Sequence, residues 1–210
     1  MQENNLDDIA IIGGGPAGIS AAIYSKYIGK SFKLFEKKTI GWIPESHINL
    51  TNDLQGLPAL LHTINGTQLI EMYNNSLNKM NILPIENTKI SEIRKEGGIF
   101  ILINEKGNEF HAKSIILTTG TTPRKLGISG EEETENIYYF AYGYADKYKG
   151  EDVIVFGSRN SGATAAMYLA ERGVRVTIIE LKDSIQAKPQ YIERLKRLGV
   201  NIMLSSKVEK

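Results

Sequence analysis

Apolar residues gather in short runs, each broken by glycine or polar clusters. The first run, Ile9 to Ile12, ends on "GGGPAG"; an alanine-rich stretch closed by Gly29 follows, then "SFKLFE", ending at Glu36. Runs of this length and punctuation predict strand, helix and strand in succession. The pattern occurs twice. Sliding the chain by 144 positions places Asp8 on Asp152, Gly13 on Gly157 and Gly18 on Gly162 without a gap. Ala21 and Ala22 fall on Ala165 and Ala166, Tyr24 on Tyr168, Gly29 on Gly173 and Glu36 on Glu180.

Between the copies, "GTQLIEMYNNSLNKMNI" puts Leu69, Tyr73, Leu77 and Met80 on one helical face. Short strands are predicted at "TKISEIR", "GIFILIN" and "EFHAKS", the last two joined by a turn at Glu105 to Asn108. A separate apolar strand, "SIILTTG", stops at Thr119 and Gly120. After the second copy come a helix, "PQYIERLKRLG", and a strand, "VNIMLSSKVEK". The expected fold is α/β: two Rossmann-like, three-layer dinucleotide-binding domains, the first with a small antiparallel β insert. The expected domains are 1–120 and 121–210, with "TTPRKLGISGEEE" as the hinge.

The repeated βαβ unit carries its own chemistry. Gly13 permits a tight turn, Gly15 lets a pyrophosphate approach the backbone, and Gly18 lets helix pack on strand. Gly14 lies within the turn, and the helix start at Pro16 and Ala17 supplies unpaired amides and a partial positive charge. Seventeen residues separate Gly18 from Glu36, enough for the helix, the turn and the strand. A carboxylate there can accept hydrogen bonds from both hydroxyls of an adenosine ribose, with Lys37 beside it. In the second copy the same interval runs from Gly162 to Glu180, and the turn is Gly157, Ser158, Arg159, Asn160 and Ser161. Arg159 replaces the middle glycine. Its bulk obstructs close pyrophosphate approach, yet a guanidinium can itself grip phosphate in bidentate fashion. Both readings stand at this level.

Composition narrows the classes. A net charge of +1 with both signs scattered leaves no footprint for nucleic acid or an anionic membrane surface. The start, "MQENNLDDIA", is polar and acidic, unlike a signal peptide, and no apolar stretch approaches a membrane span. There is no cysteine, which removes disulfides, thiolate metal sites and thiol nucleophiles together. His47, His62 and His111 lack ligand spacing, so no metal site is expected. The cytoplasm is the expected location.

Taken with "IIGGGPAGISAAIY", "GLPALLHTINGTQLIEMY" and "IILTTGTTPRKLGISGEEE", the second motif makes the chain resemble the thioredoxin-reductase-like flavoproteins. These are a branch of the pyridine nucleotide–disulfide oxidoreductase superfamily. The resemblance implies that the first motif binds the ADP part of FAD and the second binds NAD(P)H. Gly13 to Gly18 would then hold the FAD pyrophosphate and Glu36 its ribose, with Thr119 and Gly120 lying against FAD. Gly41 matches the first glycine of a Gly-Gly-Gln stretch near the flavin ring; Trp42 and Ile43 depart from it, and Trp42 suits core packing equally. NADPH-selective relatives carry a His-Arg-Arg run where this chain has "ELKD", Glu180 to Asp183. A carboxylate there favours a free diol and repels a 2′-phosphate, so NADH is expected over NADPH, softened by Lys182 and Arg175.

The family's redox Cys-x-x-Cys would fall on Phe140 and Gly143, so reduction of thioredoxin by the usual relay is excluded. No catalytic side chain is assigned, because stacking nicotinamide on flavin and tuning the flavin is the protein's task. The expected activity is transfer of electrons from NADH through FAD to a carrier protein (ferredoxin, flavodoxin or thioredoxin-like) or a small acceptor. Cysteine-less ferredoxin–NAD(P) reductases resemble the chain at Tyr139 and Phe140. A catalytically silent nucleotide-binding protein is the alternative outside the enzyme class. The aromatic cluster Tyr138, Tyr139, Phe140, Tyr142 and Tyr144 suits flavin shielding, partner docking or packing. The resemblance also implies a C-terminal return segment that these residues lack. An open sheet edge, uncovered apolar surface, weakened FAD affinity and oligomerisation or completion by another chain are the resulting expectations.

Overall fold

A computed structural model describes residues 6–40 and 64–209. The chain divides into two compact units, Met1–Thr122 and Pro123–Lys210. The first runs β1 (Leu6–Ile12), α1 (Pro16–Tyr27), β2 (Phe32–Phe35), α2 (Gly66–Lys79), β3 (Ile90–Glu96), β4 (Ile99–Asn104) and β5 (Glu109–Leu117). Its five strands form one sheet in the order β2-β1-β5-β4-β3. β1 is parallel to β2 and β5, while β4 runs antiparallel to β5 and β3.

Alternation along β1 builds two cores. Ile9 and Ile11 meet Ile19 and Ala22 of α1 and Leu77 of α2 on one face. Ala10 and Ile12 join Phe35, Leu102 and Ala112 on the other. Helix α1 starts with Pro16 in its first turn, where a missing amide costs nothing, and Gly29 leaves it with φ +70°. Helix α2 opens on a reciprocal cap. The Gln68 amide donates to Asn65 Oδ1 at 2.9 Å, and the Asn65 amide donates to Gln68 Oε1 at 3.0 Å.

One expectation is corrected here. "EFHAKS" and "SIILTTG" are not two strands but the single strand β5. It pairs antiparallel with β4 from Glu109 to Ala112 and parallel with β1 from His111 to Leu117. His111 and Ala112 are paired on both sides, so no break is available between the two segments. The antiparallel insert therefore continues the parallel sheet.

The second unit runs β6 (Asp152–Phe156), α3 (Asn160–Ala170), β7 (Arg175–Ile179), α4 (Pro189–Arg197) and β8 (Asn201–Met203). The strands are all parallel, in the order β6-β7-β8. Ala163, Ala166 and Met167 of α3 and Leu195 of α4 pack with Val176 and Ile178 on one face. Positions of the opposite parity, Ile154, Phe156 and Met203, are 58%, 37% and 47% exposed. Among the described residues the outer edge of β6 has no strand partner. A parallel sheet ordinarily buries both faces, whereas this one leaves apolar side chains exposed on one of them.

The duplication reaches further than the sequence disclosed. The Glu36 amide donates to Ile85 O at 3.0 Å, and the Glu180 amide to Met203 O at 2.9 Å. The Thr88 amide donates to Glu36 O as the Ser206 amide does to Glu180 O, both at 2.9 Å. Leu77 and Leu195 hold the same place in the last turn of the second helix, accepting from the amides of Ile82 and Val200. Both units thus follow a βαβα order closed by a parallel pairing, a single bridge of Phe35 with Ile85 in the first and strand β8 in the second. The first carries a longer connection between its second strand and second helix.

Leu195 is fully buried, whereas Leu181 is 72% exposed. Leu195→Ala should cost roughly 2–5 kcal/mol in urea unfolding, and Leu181→Ala no more than about 0.5 kcal/mol.

Candidate functional site

In the first turn, sterics dictate where glycine must stand. Gly13 has φ +109°, and a Cβ on it would collide with the Thr118 carbonyl. A Cβ on Gly18 would collide with the Gly13 carbonyl, whereas one on Gly14 would meet only the movable end of the Ile40 side chain at its closest approach. Gly15 differs. It is the N-cap of α1 at φ −77°, ψ −176°, and a Cβ built there meets nothing within 4 Å. The packing of the turn itself does not require glycine at that point, and among the described residues the space in front of it is clear of protein atoms.

Helix α1 begins there without a side-chain cap and without an acid in its first turn. Its leading amides, at Ala17 and Gly18, have no acceptor within the helix and lie at the positive end of the macrodipole. Across the turn stands Glu36, half-buried at the end of β2. The Gly14 amide donates to its Oε2 at 2.7 Å and the Lys38 amide to its Oε1 at 3.0 Å. Counting donors among the described residues, one lone pair on each oxygen remains, which suits a pair of vicinal hydroxyls. Lys37 is exposed beside it.

Strand β5 ends against this turn. Thr119 and Gly120 are exposed there, Gly120 with φ +71°. Sequence reasoning named those two and missed Thr118. Its hydroxyl lies 2.9 Å from each of the carbonyl oxygens of Ile12 and Gly13, fastening β5 to the turn. Its signal was the doubled threonine before Gly120. Gly41 and Trp42 lie outside the described residues, as do His47 and His62.

The second turn repeats the first. Gly157 has φ +83°, its amide donates to Ile179 O at 2.9 Å, and a Cβ on Gly162 would collide with the Gly157 carbonyl. Arg159 is the N-cap of α3 at φ −70°, ψ 174°, nearly the conformation of Gly15. Arginine therefore sits in this turn without backbone strain, exposed at the mouth. Asn160 and Ser161 begin the helix; Asn160 Oδ1 accepts the Lys188 amide at 3.1 Å.

Glu180 is held more tightly than Glu36. Ser158, fully buried, donates its amide at 2.8 Å and its hydroxyl at 2.6 Å to Glu180 Oε2, and the Lys182 amide donates to Oε1 at 3.0 Å. Glu180 itself is 7% exposed. The Ser158 hydroxyl, with the Lys182 and Ser158 amides, holds the Glu180 carboxyl below the usual carboxylate range. The Lys182 ammonium donates to Gln186 Oε1 at 3.1 Å.

Among the described residues, three tyrosines of the aromatic cluster make ring contacts with one another or with Tyr168. Tyr138 stacks against Tyr144 at 4.1 Å and its hydroxyl receives the Lys147 ammonium at 2.9 Å. Tyr142 lies 4.6 Å from Tyr168, and Tyr139 donates to Glu131. Phe140 is half-buried and Gly143 is exposed, at the positions where the redox cysteines would fall. No helix among the described residues is long and apolar enough to cross a membrane, and none of their side chains cluster as a metal site.

The chain is similar to known proteins in sequence and fold. A family model for pyridine nucleotide-disulphide oxidoreductases matches residues 7–210. A thioredoxin reductase of Helicobacter pylori is 32% identical over 197 residues, covering 90% of this chain and 60% of the relative. A ferredoxin–NADP reductase of Streptococcus mutans is 32% identical over 209 residues, covering 96% and 61%. The crystal structure of Lactococcus lactis thioredoxin reductase superposes with a TM-score of 0.86 at 29% identity, over 97% of this chain and 66% of that one. The chain spans between 59% and 64% of the length of the first curated relatives.

A carboxyl lowered on folding stabilises the folded state above its unfolded value, about 4.3 for glutamate, and that contribution fades as pH falls towards the folded value. Glu180→Gln should unfold at lower urea than the parent at pH 7. The gap between the two midpoints should narrow from about pH 5 to pH 3.

Proposed function

Since the chain belongs to the pyridine nucleotide-disulphide oxidoreductase family, we propose that it is the two-nucleotide part of an FAD-dependent oxidoreductase that draws electrons from NADH. The observation carrying this reading is the pair of matched turns. Each sets an uncapped helix N-terminus opposite an acid whose carboxylate is aimed at the turn by the turn's own amide. The first turn fits the ADP portion of FAD. Gly15 leaves open the space a diphosphate would fill, the amides of Ala17 and Gly18 face it, and Glu36 keeps a lone pair on each oxygen for the ribose. Thr119 and Gly120 border that space, and Lys37 adds a cation near it.

In this reading the second turn holds the pyridine nucleotide. Gly157, Ser158, Asn160 and Ser161 line it, and Arg159 presents its guanidinium where Gly15 presents bare backbone. The ionised Glu180 repels a 2′-phosphate, which favours NADH over NADPH, and Lys182 weakens that repulsion. FAD, when bound, supplies a two-electron acceptor able to release electrons singly. This chain's residues bind and orient the two nucleotides, and no side chain is assigned a chemical step. With no cysteine to relay electrons, the acceptor is a carrier protein or a small molecule. A cytoplasmic location goes with this reading.

A second reading, reduction of a ferredoxin- or flavodoxin-like carrier, is favoured by the missing cysteines and by the 32% identity to the streptococcal ferredoxin–NADP reductase. The two are separated by assaying ferredoxin and flavodoxin as acceptors beside small quinones.

Purified protein loaded with FAD should lose its flavin absorbance anaerobically on addition of NADH. Colourless protein that fails to quench flavin fluorescence at saturating FAD would reject the reading in favour of a silent nucleotide-binding protein. Glu36→Ala should weaken FAD binding by about tenfold to a hundredfold, the worth of a hydrogen bond to a charged group.

A further inference from the structure

The two turns differ in one interaction that decides what their acids can still accept. A carboxylate offers about four lone-pair positions. Glu36 spends two, on the amides of Gly14 and Lys38, and keeps one on each oxygen. Glu180 spends three: the Ser158 amide and hydroxyl both occupy Oε2, and the Lys182 amide takes one position on Oε1. The proton on the Ser158 hydroxyl is committed, because the Gln186 amide donates to the same Oγ at 2.9 Å and the neighbouring carboxylate can only accept.

We infer that Ser158 is a specificity-determining residue of the second turn: its hydroxyl fills the Glu180 oxygen that a ribose diol would share, so this site distinguishes NADH from NADPH by charge alone and therefore weakly. The inference rests on the reading of the second turn as the pyridine-nucleotide site. A vicinal diol needs two acceptors to be held by both hydroxyls, and Glu180 retains a single free lone pair, on Oε1, in a residue 7% exposed. The first turn lacks this device. Glycine stands at position 14, where a Cβ would require the end of the Ile40 side chain to shift, whereas the residue 144 positions after Ile40 is the smaller Ser184. Ser158 also fastens the β7–α4 connection to the turn through Gln186, so its hydroxyl orders the border of the site as well as its acid.

The test is titration of the full chain with NADH and with NADPH, followed by cofactor fluorescence, for the parent, Ser158→Gly and Ser158→Ala. Each substitution removes the hydroxyl and frees one lone pair on Oε2. The parent should bind the two nucleotides within about tenfold of each other, and both variants should raise the preference for NADH by about a further tenfold through tighter NADH binding. A purely structural role would weaken both nucleotides together and leave their ratio unchanged; that result, in a parent that binds, overturns the inference alone. A parent that binds neither nucleotide overturns the reading of the second turn, and this inference with it.

Discussion

The carboxylate at the end of the second strand of each unit is tied by hydrogen bonds to the glycine turn at the end of the first. The Gly14 amide reaches Glu36 and the Ser158 amide reaches Glu180, at 2.7 and 2.8 Å. The tie spans two neighbouring parallel strands at their C-terminal ends, where the following helix also begins. It therefore sets the separation of the turn, the helix N-terminus and the acid at once. Any ligand carrying a diphosphate and a sugar meets these three elements at a spacing the protein has already established. The bond is charge-assisted and part-buried in the first unit and buried in the second, so it is among the stronger local interactions available.

Around that tie the units share a frame while differing in what completes it. A third parallel segment closes onto each acid's own backbone, at Ile85 and Met203. In the first unit, β5 then returns beside β1 and brings Thr118 onto the turn, and a second core forms on the far face from Ala10, Ile12, Phe35 and Leu102. In the second unit Ile154, Phe156 and Met203 remain exposed on the corresponding face. The first turn is thus braced from two sides by strands, while the second is braced by the side chains of Ser158 and Asn160 holding the amides of Gln186 and Lys188.

Absence of cysteine shapes the chemistry as strongly as any residue present. Where a thiol pair would stand the chain has Phe140 and Gly143, and near them in sequence Tyr138 packs on Tyr144 and Tyr142 on Tyr168. Gly143 donates its amide to the Tyr168 hydroxyl at 3.3 Å. The segment carries aromatic packing and hydrogen bonds where a thiol pair would stand.

Much was legible in the residue order because it depends on local sterics and periodicity. Glycine at 13, 18 and 162 is demanded by backbone collisions and at 157 by a φ of +83°, and the 144-residue repeat follows from those demands. The acid at each strand end was equally visible, since helix and strand lengths determine its distance along the chain. The extension of the duplication through α2 and α4 was not visible, because Leu77 and Leu195 share burial and backbone bonding while their neighbours share little sequence. Nor was the unity of β5 visible, since strand continuity at His111 and Ala112 comes from partners on both sides rather than from the residues themselves. Whether Arg159 strains its turn, and how many lone pairs each acid keeps, are properties of relative placement. Tertiary contact alone decided them, because hydrogen bonds from residues 22 positions away are directional and no pattern along one strand can count them.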